Sequence, residues 1–76
     1  MNASNRKELE EAKELIEQAK EIIEQIKDEE QEKFDNLSEG LRQTERGQRF
    51  EENVGYLETA FDSLETCIEE IDNAIE

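Results

Sequence analysis

An all-α fold follows from three features of the chain. Apolar residues recur at alternating three- and four-residue spacings over two long segments, proline is absent, and glycine occurs only three times in 76 residues. Apolar residues make up 33% of the chain against 42% charged residues, with a formal net charge of −14. That balance suits long helices carrying a thin apolar stripe better than a compact α/β or all-β core. The length allows one small domain, 1–76, with little core of its own. The expected architecture is an antiparallel helical hairpin of two long helices, assembling into a homo-oligomeric helical bundle.

The first helix is expected over about 5–35. Leu9, Ala12, Ile16, Ala19, Ile23 and Ile26 form its stripe, and Leu15 and Ile22 widen it on one flank. Asn5 followed by Glu8 resembles a capping box, which starts the helix there and leaves the first four residues frayed. Glu10, Lys13, Glu17, Lys20, Glu24 and Lys27 alternate in sign on what reads as the outer face. Lysines so placed need no further partner.

A turn is expected over about 36–43, where Asn36, Ser38 and Gly40 supply chain-reversing chemistry. The second helix, about 44–75, carries Phe50, Val54, Leu57, Phe61, Leu64, Ile68, Ile71 and Ile75 in unbroken alternation. Ala60, Cys67 and Ala74 line one edge of that stripe with small side chains. Phe50 and Phe61 read as core, Cys67 as a small buried residue, and Phe34, Leu37 and Leu41 as a cap under the loop. Stripes this wide are what core-facing bundle helices show, whereas an isolated pair needs only a two-position seam. A homo-oligomer, a dimer of hairpins or higher, is therefore expected.

Charge is distributed unevenly. Residues 1–32 carry −6 and residues 50–76 carry −9 with no basic residue, while 33–49 carry +1. Every arginine except Arg6 lies in that middle segment. Arg46 and Arg49 fall in or near the first turn of the second helix, where the helix dipole favours acidic side chains. Cations beside a helix N-terminus suit an arriving anion, and arginine suits bidentate contact with phosphate. The candidate ligand-binding residues are Arg42, Arg46, Arg49, Lys33 and Tyr56, with the tyrosine as a stacking ring. The competing reading has these arginines pairing with Glu39, Glu45, Glu51 or Glu52 and holding the turn. Lys33 and Glu30 occupy heptad positions that are otherwise apolar, so they mark either the end of the core or a polar cavity near the tip.

Several chemistries lack their residues. Histidine is absent and the single cysteine, Cys67, has no intramolecular partner, which excludes an internal disulfide and most nucleophile–base pairs. The Glu-x-x-His diiron motif, an EF-hand loop and a glycine-rich phosphate loop are all missing. No enzyme activity, no metal and no cofactor is expected. The acidic balance disfavours direct nucleic-acid binding, and no apolar run reaches the ~18 residues that span a membrane. The expected setting is a cytoplasm.

The segment Phe34-Asp35-Asn36-Leu37-Ser38-Glu39-Gly40-Leu41-Arg42-Gln43-Thr44-Glu45-Arg46-Gly47, followed by an acidic amphipathic helix, resembles a group of small acidic helical-hairpin proteins of bacteriophages and mobile elements. Their hairpin reads Asn-Leu/Ile-Pro-Glu-x-Leu-Gln-x-Ser/Thr-Glu-Arg/Lys. Asn36, Leu37, Glu39, Leu41, Thr44, Glu45 and Arg46 match, whereas Ser38 replaces the proline and Arg42 the glutamine. The resemblance spans about residues 26–75 and implies a phage-type origin without bringing an activity. Under that origin, three expectations compete. The arginine tip sequesters a phosphorylated or nucleotide signalling molecule and so antagonises host antiviral defence. Alternatively, Glu51, Glu52, Glu58, Asp62, Glu65, Glu69 and Asp72 imitate nucleic-acid phosphates and block a basic groove of a host protein. The third is a purely structural assembly protein.

Overall fold

The computed structural model describes all 76 residues, Met1–Glu76. It is all-helical: α1 spans Ala3–Asp35, α2 is a single turn at Glu39–Arg42, and α3 spans Glu45–Ile75. The two long helices pack along each other in a rod of 58 × 15 × 13 Å.

Helix α1 starts earlier than its sequence suggests. Asn2 is the N-cap, and its side-chain oxygen accepts from the backbone N–H of Asn5 at 2.7 Å. Asn5 is thus the capped residue and not the capping one, and Ala3 and Ser4 are helical rather than frayed. Asparagine is as good an N-cap as any residue, so Asn2 captures the start one turn before the Asn5–Glu8 pair can.

The connection is also more ordered than a plain turn. Ser38 caps α2, its hydroxyl accepting from the Leu41 N–H at 3.3 Å. Thr44 caps α3 while donating its hydroxyl back to the Leu41 carbonyl and accepting from the Gly47 N–H at 3.4 Å. Two Ser/Thr caps six residues apart let the chain reverse without a residue of positive φ.

Only Gly47 and Val54 are buried, and Val54 retains 7% exposure. Phe50, Phe61 and Cys67 are half-buried where burial was expected, and Leu41, expected beneath the loop, is 53% exposed. Two parallel cylinders touch along one line, so one helix covers only the centre of the other's stripe. Replacing Val54 by Ala removes the one deep side chain of this contact. Part of that loss is offset by alanine's better helix propensity, and a net cost of about 1 kcal/mol is expected in urea unfolding followed by circular dichroism.

Which edge of α1 meets α3 departs from expectation. Lys13 reaches Asp72, and Lys20 reaches Glu65 at 3.5 Å. The second pair lies one heptad further along α1 and one heptad back along α3, which is an antiparallel register. The Lys20 ammonium also sits 5.0 Å from the centre of the Phe61 ring. Lys13 and Lys20 therefore border the helix–helix seam instead of the outer face, and Glu65 and Asp72 are paired across that seam. Long lysine stems cover apolar surface while their heads reach carboxylates on the facing helix.

The Asp72 carboxylate, accepting a hydrogen bond from Lys13, holds that ammonium above the ordinary lysine range, with Glu10 adding to it and partial desolvation opposing. A raised pKa in the folded state means that the contribution is complete below the unfolded lysine value and is lost as pH rises through the folded one. Lys13→Gln is expected to flatten the alkaline loss of stability, as read from thermal midpoints across alkaline pH.

Candidate anion site at the hairpin tip

The tip is assembled from the end of α1, all of α2 and the first turns of α3. Its position depends on Gly47. A Cβ on that residue would lie 2.4 Å from the Arg42 carbonyl oxygen and 2.6 Å from its carbonyl carbon and Cα. The absence of a side chain lets the end of α2 rest directly against α3. Gly40 and Gly55 have open space around them and play no such part.

Arg42 closes the other side. Its Nη2 donates to the Asp35 carbonyl oxygen at 2.8 Å, supplying a cation to the negative end of α1, and its guanidinium lies 5.3 Å from the Phe34 ring centre. Its Nε is buried without a hydrogen-bond partner. Arg42 is thus committed to the fold of the tip, though through a backbone carbonyl and a ring and not through a carboxylate.

Arg46 and Arg49 come together. With Thr44, Glu45 and Phe50 they line a shallow concavity of about 660 Å³, and the Arg46 guanidinium stands 5.7 Å from the Phe50 ring centre. Glu45 adds one carboxylate to the rim, yet no arginine of the chain has a carboxylate within ion-pair distance. Four of the five lysines behave differently, Lys7 alone having no such partner. Lys13, Lys20, Lys27 and Lys33 each lie within 4.0 Å of an acidic side chain. Arg46 and Arg49 remain available in a chain with 23 acidic residues.

The other two candidates sit elsewhere. Lys33 donates to Glu30 at 3.3 Å, so these two polar heptad residues satisfy each other within α1. Tyr56 is 73% exposed and lines a separate groove with Ile26, Glu30, Asn53 and Leu57. The structure therefore groups Arg46 and Arg49, engages Arg42 and Lys33 in the fold, and separates Tyr56. Phe50, read from the sequence as core, is the aromatic residue that faces the concavity. Its four-residue spacing from Arg46 on α3 is the signal that would have found it.

Of the acidic residues considered as an alternative surface, Glu65 and Asp72 are paired with α1, while Glu51, Glu52, Glu58, Asp62 and Glu69 are exposed and carry no ion pair. No three carboxylate or thiol groups converge where a metal ion could be held. No helix is long and apolar enough to cross a membrane.

The fold and tip together define a two-helix hairpin with an arginine-bearing end. The chain matches no protein-family model, no curated protein and no solved structure.

Proposed function

We propose that this chain is a non-enzymatic binding protein that captures a phosphorylated small molecule at the hairpin tip. Arg46 and Arg49 contact phosphate oxygens, and the rim of the Phe50 ring offers an apolar surface to the rest of the ligand. The observation that carries this reading is the selective freedom of the arginines: the lysines from Lys13 onward find carboxylates, and Arg46 and Arg49 do not. Guanidinium groups held side by side at a helix start, one of them over a ring, suit bidentate contact with an anion. We further propose that the hairpins assemble as a homo-oligomeric helical bundle, supported by how little apolar surface one hairpin buries. From the resemblance of the hairpin segment to small phage proteins we also propose a role against host antiviral defence, by removing a nucleotide signal from solution.

Isothermal titration of the full chain with linear and cyclic nucleotides tests this, beside the Arg46→Ala/Arg49→Ala variant. Loss of two charge-assisted contacts is expected to weaken binding about a hundredfold or more. If no nucleotide binds, or if the double variant binds equally well, the reading fails. The exposed carboxylates Glu51, Glu52, Glu58, Asp62 and Glu69 then carry the stronger case, tested by charge reversal and capture of a basic host protein.

A further inference from the structure

The two faces of the hairpin differ. One is crossed by the Lys13–Asp72 and Lys20–Glu65 pairs. The other exposes Leu15 at 66%, Ile22 at 58% and Ile26 at 43% on α1, with Tyr56 at 73% on α3. Ile26 and Tyr56 line the same groove, so these side chains belong to one face and not to opposite edges. On α1, Ala12, Leu15, Ala19, Ile22 and Ile26 follow spacings of three and four, a complete second seam beside the one that meets α3. On α3 the matching row is Asn53, Tyr56, Ala60, Ser63 and Cys67, whose mostly small side chains admit a close neighbour.

We propose that this face is covered by a second copy of the chain, lying tip to tail. The proposal rests on the homo-oligomeric reading above and adds the surface and the orientation. Area supports a copy as the occupant. A face of 58 × 15 Å offers about 870 Å² of projected area, close to the ~800 Å² per partner of a stable interface. It also supplies the burial that the single hairpin lacks, with Val54 its only buried apolar residue.

Charge decides the orientation. The 17 tip residues 33–49 carry +1, whereas the 17 residues at the open end, 1–8 and 68–76, carry −3 from Arg6 and Lys7 against five carboxylates. Tip to tail sets +1 against −3 at both ends. Tip to tip sets like against like at both. The seams repeat this polarity. In heptad steps the α1 rows place Glu8 at the open end and Lys33 at the tip end. Glu29 alone among these row ends opposes the pattern. All neighbouring helices are then antiparallel, and the two arginine tips lie at opposite ends as separate sites.

Sedimentation equilibrium gives the mass in solution, and a nitroxide pair gives the orientation. Gly40 is at the tip in open space, so Gly40→Cys in a Cys67→Ala background carries one label per chain. A dimer with labels separated by roughly the 58 Å length of the rod is expected. A dimer with labels under about 25 Å apart, the span of two adjacent helix layers plus linkers, overturns the orientation while leaving the oligomer intact. A helical monomer at tens of micromolar overturns both. Ile22→Glu is expected to raise the dimer dissociation constant at least a hundredfold, and Glu21→Lys, beside it, to leave it within a few fold. An unchanged constant for Ile22→Glu overturns the choice of face.

Discussion

Gly47→Ala is expected to lower the stability of this protein by about 2 kcal/mol. The added Cβ meets three backbone atoms of Arg42 at 2.4–2.6 Å, and backbone cannot rotate aside as a side chain does. Overpacking of this kind costs up to about 3 kcal/mol, and alanine's better helix propensity returns about 1. For a chain of this size the net change corresponds to a midpoint roughly 10 °C lower in thermal unfolding. The same substitution at Gly40 or Gly55, where nothing lies within 4 Å, is expected to stabilise by about 0.5–1 kcal/mol. A stabilising Gly47→Ala would show that α2 does not rest on α3 as described.

Arg42→Ala ranks next, at about 1–2 kcal/mol. It removes a charge-assisted hydrogen bond to the Asp35 carbonyl, the cation at the end of α1, and the contact with Phe34. The informative comparison is between stability and binding. Arg42→Ala should loosen the tip, seen as faster amide exchange over residues 34–44, and should weaken anion capture only as far as the tip is disordered. Arg46→Ala and Arg49→Ala should do the reverse, leaving exchange unchanged and removing capture. If Arg42→Ala abolishes capture with its exchange profile intact, Arg42 is itself a ligand contact.

Much of this architecture is legible in the chain. The three- and four-residue spacings of Leu9, Ile16 and Ile23 and of Val54, Phe61 and Ile68 specify two helices, because side chains three and four apart share a helix face. The concentration of arginines between them marks the tip. The boundary at Asn2 was hidden because Asn2 and Asn5 are the same residue type one turn apart, and only the backbone path selects the capping one. Phe50 reads as core for a related reason. Apolar periodicity reports the face of a helix, not whether a neighbour reaches its first turns.

Local spacing and composition are enough to specify that two amphipathic helices form and where the cations concentrate. Tertiary structure alone decided three further matters. A stripe three positions wide can meet its partner along either edge, and the edge of α1 that meets α3 is the one where Lys13 and Lys20 stand opposite Asp72 and Glu65. Arg42 became part of the fold because α2 brings it onto the open carbonyl of Asp35. Arg46 and Arg49 stayed free because no carboxylate lies within ion-pair distance of either where Gly47 lets the tip close.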